Sequence, residues 1–155
     1  MGLSSKLWVV FIAALPVSEL RGAVPYGIST GLPWLEVFML AVIGNLLPVI
    51  PIFLFLKFFL LKARKVKIID NFFFWWFNKV DNKSALIKKY GFWGLVLFVA
   101  VPLPVTGAWT GITAAFLLKF KLKRAFTAIL LGVIIAGIVV TGFSLGVFRT
   151  IYFIN

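Results

Sequence analysis

Two uncharged runs set what this chain can fold into. Residues 37–56 and 125–148 hold 20 and 24 consecutive positions without Asp, Glu, Lys or Arg. A bilayer core of ~30 Å takes about 20 apolar residues of helix to cross, and both runs reach that length. The remainder is scarcely more polar: 63% of all residues are hydrophobic and 13% charged, where a soluble domain carries roughly a quarter charged. An all-α integral membrane protein is expected. With 155 residues it forms a single membrane domain (1–155) of a few crossings, without room for a soluble catalytic domain.

Between the long runs lie shorter ones that are broken. Lys6 and Glu19 enclose 12 uncharged residues, and Arg21 and Glu36 enclose 14, each too short to cross alone. They meet at a tip containing Pro16, Gly22, Pro25, Gly27 and Gly31, residue types that break or cap helices. Two half-helices joined there make a re-entrant hairpin over 7–33, followed by a transmembrane helix over 34–56. Lys6 and the apolar residues after it resemble the start of a secretory signal peptide, but Pro16-Val-Ser-Glu makes a poor cleavage site. Within the first long run, Pro48 and Pro51 each leave a carbonyl one turn earlier without its amide. A kink is therefore expected near 44–47, with the Asn45 side chain available to one freed group.

Residues 57–89 carry nine Lys and Arg around Phe72-Phe-Phe-Trp-Trp-Phe77. Aromatic rings between basic clusters suit an amphipathic segment in the headgroup layer, in contact with anionic membrane lipids. A second broken run, 90–118, has Pro102-Leu-Pro-Val-Thr-Gly-Ala-Trp-Thr-Gly111 at its centre, and the second transmembrane helix covers 125–148. Gly142 and Gly146 there have the GxxxG spacing that lets another helix approach.

The charge is +12, from 16 Lys and Arg against Glu19, Glu36, Asp70 and Asp81. The basic residues sit in short loops beside apolar runs rather than on a soluble face, which excludes a nucleic-acid partner. Without Cys or His there are no disulfides, Cys/His metal sites or His-dependent triads. Four scattered carboxylates offer no paired acid and base. Neither an enzyme nor a cofactor is expected.

The two halves match when slid by about 86–88 residues; Leu7-Trp8 through Pro16 runs parallel to Phe92-Trp93 through Pro102, 85 residues on at its start and 86 at its end. Broken segments in corresponding positions of two halves point to a transporter binding site. Charge separates two topologies. If both broken segments span, the two basic loops lie on opposite sides and Lys plus Arg divide 11 to 4; if both are hairpins they share a side and divide 13 to 2. The positive-inside rule selects the hairpins, with the 57–89 loop cytoplasmic. One crossing between them makes the repeats inverted, so that their tips approach near the midplane.

Ser18-Glu-Leu-Arg-Gly-Ala-Val-Pro25, with Val101-Pro-Leu-Pro-Val-Thr-Gly-Ala-Trp-Thr-Gly111, resembles the signature pair of the small multidrug export protein family. The resemblance runs from Leu7 to Phe148. That family is similar, more remotely, to the DedA and VTT-type membrane proteins, understood as two opposed re-entrant hairpins with lipid-transport activity. It implies a multi-pass protein of the bacterial inner membrane. It also implies scrambling or flipping of phospholipids, or recycling of undecaprenyl phosphate, with Glu19 matching in kind the acidic residue of the first hairpin. DedA proteins carry essential arginines in the second hairpin; residues 102–111 here contain none.

An ionisable residue at membrane depth marks a substrate or ion path, so Glu19 and Arg21 lead the candidate site. Arg21 can hold a phosphate through its planar fork, and Glu19 can exchange a proton. Half-helix N-termini after Gly22 or Gly107 would add amide donors. Pro25, Asn45, Pro102, Pro104, Thr106, Gly107, Trp109 and Thr110 complete the set, the threonines supplying hydroxyls and Trp109 a cover for an acyl or isoprenyl chain. The alternative is that Glu19 and Arg21 bond each other or freed carbonyls and hold the tip together. Three functions stand open: a flippase for a phosphate-headgroup lipid, coupled to protons; an exporter of small cationic drugs with Glu19 as counter-charge; and a non-transporting, lipid-organising subunit. Polar backbone at the hairpins favours a homodimer that covers it.

Overall fold

The computed structural model describes residues 2–62, 85–102 and 106–154. Every element among them is a helix: α1 (Gly2–Ala14), α2 (Glu19–Ser29), α3 (Trp34–Leu46), α4 (Val49–Lys62), α5 (Ala85–Ala100), α6 (Ala108–Leu117) and α7 (Leu122–Ile154). Two stretches are long and apolar enough to cross a membrane, Trp34–Phe58 and Leu122–Thr150. The second helix outruns the expected 125–148 at both ends. Most of the 57–89 segment, with its aromatic cluster, lies outside the described residues, as does Pro104.

Apart from α3 and α4, which together make up the first span, four helices are short. α1, α2 and α6 have 13, 11 and 10 residues, roughly 15–20 Å of helix each. α5 has 16 but bends at Gly91 (φ 57°, ψ −120°), leaving only 92–100 beyond the bend. None of these pieces reaches ~30 Å.

The breaks are tighter than the spread of Gly and Pro suggests. In the first half the interruption is confined to 15–18, and α2 runs unbroken through Gly22, Pro25 and Gly27. Pro25 removes one amide, which frees the Arg21 carbonyl from its helical donor without ending the helix. Gly27 serves packing, since a Cβ there would lie 2.6 Å from Val37 Cγ1. The prolines of the first span act as expected: the helix stops at Leu46 and restarts at Val49, across Leu47 and Pro48.

α1 packs on α2 and α3, α2 on α3 and α7, α4 on α6, α5 on α7, and α6 on α7. Exchanging α1 with α5, α2 with α6, and α3–α4 with α7 carries this neighbour map largely onto itself. Backbone detail recurs with it. Glu19 and Gly107, Gly31 and Lys119 are positive-φ residues, and Gly44 and Gly132 are close-packed glycines; each pair is 88 residues apart. A Cβ on Gly44 would meet the Val10 carbonyl at 2.5 Å, and one on Gly132 the Val96 carbonyl at 2.8 Å. Lipid gives helices no hydrophobic reason to associate, so small residues that admit close backbone contact hold such a bundle together. The core between the halves is accordingly rich in Ala and Val: Ala13, Ala23, Ala41, Val99, Ala115 and Ala128 are buried. Trp8, Phe11, Met39, Phe55 and Phe143 stand exposed outside.

Gly142 and Gly146 do not follow this pattern. A Cβ on either would meet nothing within 4 Å, so no described helix of this chain approaches there. Their face of α7 lies beyond the part covered by the shorter helices.

Candidate functional site

Glu19 sits where the chain turns from α1 into α2. It accepts the left-handed conformation, φ 47°, which is uncommon for a residue with a side chain and marks a constrained position. Its amide still bonds the Leu15 carbonyl (3.1 Å) and Gly22 bonds Ser18 (3.0 Å). The side chain is buried at 6% exposure, the one buried charged residue among those described.

What buries it is the other break. Backbone amides of Trp109 and Ala108, at the start of α6, donate to the Glu19 carboxylate. Gly107 precedes them at φ 151°, and a Cβ there would overlap the carboxylate itself. The free amides of a helix N-terminus favour an anion, and here the anion is the chain's own. The amide donors expected after Gly107 for a substrate are therefore taken by Glu19. Those expected after Gly22 do not exist, because Gly22 lies inside α2 and its amide is paired.

Arg21 and Trp109, also 88 residues apart, brace the contact in opposite directions. Arg21 Nη2 donates to the Thr106 carbonyl at 2.8 Å and lies 3.7 Å from Glu19 Oε2. Trp109 Nε1 donates to the Ala14 carbonyl at 3.1 Å. Each side chain thus reaches from its own half to a carbonyl freed at the break of the other half. The Trp109 indole spans the two tips rather than lying over an open groove.

The hydroxyls turn inward to their own backbone. Thr106 Oγ1 bonds the Val101 carbonyl (2.7 Å), closing the second break, and Thr110 Oγ1 points to the Gly107 carbonyl at 3.4 Å. Asn45, on α3, is 1% exposed, and its side-chain oxygen has no hydrogen-bond partner. It does not serve a carbonyl freed by Pro48 through that oxygen, which is an acceptor. Glu19, Arg21, Asn45, Pro102, Thr106 and Gly107 line one small cavity of about 10 Å³. Pro25 belongs to α2 but not to that lining. Gly22, Trp109 and Thr110 are likewise outside the lining, so six of the eleven candidate residues meet at this cavity. Leu20 and Ala108, inside the motifs but not singled out, and Val99, Val133, Ala136 and Val140, outside them, complete the cavity wall; Gly132, found by sliding Gly44 along the repeat, was the available clue to that face of α7.

Among the described residues no group of His, Cys, Asp and Glu is placed to hold a metal. No curated protein and no solved structure matches the chain, so the more remote likeness to DedA and VTT-type proteins finds no support there. One family does match, over residues 19–139, from the buried glutamate to the middle of α7. Its description speaks of drug export and does not mention lipid. With short helices broken at matched places, two apolar spans and this match over most of its length, the chain is a membrane protein belonging to the family described as "Putative small multi-drug export protein".

Proposed function

We propose that the chain exports small amphipathic cations by parting and re-forming the contact between its two breaks. Glu19 is the group for which a substrate cation and a proton compete. The observation that carries this is the seating of one carboxylate between the halves, held by α6 amides and Arg21. A charge kept in such a place is costly and marks a path. The cavity beside it has room for about one water, which corresponds to a closed form. In this reading the short helices are re-entrant hairpins and the halves are inverted repeats. Rocking one half against the other then opens the Glu19 seat to each side in turn. Both basic loops face the cytoplasm, and a homodimer covers the polar backbone of the hairpins. No covalent chemistry is involved.

The test is efflux of a cationic dye from proteoliposomes. Glu19→Gln is expected to abolish it, and Arg21→Ala to leave it intact or raise it by freeing the carboxylate. Normal efflux with Glu19→Gln would sink the mechanism.

A phosphate-headgroup lipid is the second reading, and one feature favours it. Arg21 and the first amides of α6 already converge on an anion, and a phosphate could replace the carboxylate if Glu19 were protonated and withdrew. That reading requires Arg21→Ala to abolish transfer of a labelled anionic lipid in the same vesicles, where the cation reading requires no such effect.

A further inference from the structure

The turn that leaves α6 is a Schellman motif: the Lys119 amide bonds the Phe116 carbonyl (3.0 Å) and the Phe120 amide bonds the Ala115 carbonyl (2.9 Å). The residue at its centre must be left-handed, which glycine accepts freely and a residue with a Cβ does not. Here that residue is Lys119, at φ 58°. Its counterpart 88 residues earlier is Gly31, at φ 79°, whose amide makes the same bond to Ile28 (3.0 Å). The first half thus closes this turn with glycine, while the second holds a strained lysine whose side chain stands exposed. Strain of this kind points to a use for the side chain.

The position of the turn says which use. Phe53 and Phe116 meet edge to face at 5.6 Å, and Lys57 follows the first by four residues as Lys119 follows the second by three. α4 and α6 therefore reach their lysines at one end of the bundle, and Lys121 stands there too, just before α7. The inward packing of Phe120 and Leu122 holds this stretch of backbone in place. The apolar spans stop at the same level, the first running over Trp34–Phe58 and the second starting at Leu122, so the three exposed lysines lie in the headgroup layer. Among the described residues no carboxylate offsets them: Glu19 is seated at the breaks, and Glu36 pairs with Lys6 at the opposite end of the first span. An acidic protein would have to enter that layer to reach them, whereas the phosphodiester of a lipid is already in it.

We propose that Lys57, Lys119 and Lys121 bind the headgroup of an anionic phospholipid, and that Lys119 occupies a glycine position in order to reach it. The site is separate from the Glu19 seat and does not depend on what the chain exports.

Native mass spectrometry of the full chain, released from micelles containing equal amounts of phosphatidylglycerol and phosphatidylcholine, tests the binding. The wild type is expected to retain phosphatidylglycerol in preference. Lys119→Gln and Lys119→Gly are each expected to weaken that retention about fivefold, the share of one lysine near an anionic surface. Lys119→Gly is also expected to raise the thermal midpoint in lipid-free micelles, because glycine relieves the turn; its loss of lipid is then not a loss of fold. Lys6→Gln, at the other end, is expected to leave retention unchanged. The proposal is overturned by a wild type without preference between the two lipids, by undiminished retention in both Lys119 variants, or by an equal loss in Lys6→Gln. A lowered midpoint in Lys119→Gly would assign the lysine to the α6 carbonyls instead, and displacement of the lipid by soluble glycerol phosphate would assign the site to a free phosphate; either overturns it.

Discussion

Replacing Gly107 by alanine tests the seat of Glu19 most directly. Two costs add. At φ 151°, ψ −165° the backbone occupies a region reserved almost wholly for glycine, and holding alanine there costs on the order of 1–3 kcal/mol. The new Cβ also overlaps the Glu19 carboxylate, so the carboxylate must leave, and the amides of Ala108 and Trp109 lose their acceptor. An unsatisfied buried donor adds about 1–3 kcal/mol, making roughly 2–6 kcal/mol altogether. A double-mutant cycle separates the two parts. In a Glu19→Ala background the seat is already empty, so Gly107→Ala is expected to cost only the backbone share. The coupling between the sites is then about 1–3 kcal/mol. Unfolding in mixed micelles, followed through tryptophan fluorescence, gives the four stabilities. Equal costs of Gly107→Ala in both backgrounds would refute the seating of Glu19 against Gly107.

Three further outcomes are expected. Gly44→Ala and Gly132→Ala should each destabilise by about 1–3 kcal/mol through overpacking against backbone, and Gly142→Ala by far less, since nothing lies near it; equal losses at all three would show that the 88-residue correspondence has no packing content. Because the chain has no cysteine, single cysteines at Lys57 and Lys121 can be labelled by an impermeant maleimide in oriented vesicles. The hairpin topology requires both to react from one side, and labelling from opposite sides would rule it out. Trp109→Phe should cost about 0.5–1.5 kcal/mol for the lost bond to Ala14, measured in the same micelles, and a neutral result would mean that the indole does not brace the tips.

The spans were legible because length and absence of charge are nearly sufficient for a membrane helix. The prolines at 48 and 51 located the kink for the same reason, since a missing amide acts locally. Sliding the halves paired the two breaks, but the stretches it matched, Leu7 to Pro16 and Phe92 to Pro102, are 85–86 residues apart, two to three short of the 88 at which positive-φ and close-packed glycine positions recur. Composition misled where the role of a residue depends on a distant neighbour. Gly27 and Pro25 read as helix breakers, yet Gly27 is a contact point for Val37 and Pro25 is tolerated within α2. Gly142 and Gly146 read as a close-packing motif and face open space. The partner of Glu19 was illegible too: the first amides of α6 are 89 and 90 residues along the chain, and nothing local says that they turn towards it.

Glu19 facing Gly107 has a consequence for how such a molecule can be assembled. Under the internal two-fold proposed above, these are equivalent positions that touch at the axis. A dimer of two identical halves would place the same residue on both sides of that axis. Two glutamates would set like charges against each other in a space that barely admits one carboxylate, and two glycines would leave the axis without charge. Only when the two halves differ at this position, as they are free to do within one chain, can the axis hold a side chain from one half against the glycine of the other. In the proposed arrangement, carrying both halves on one chain fixes that unequal pair, and with it one uncompensated carboxylate where the two breaks meet.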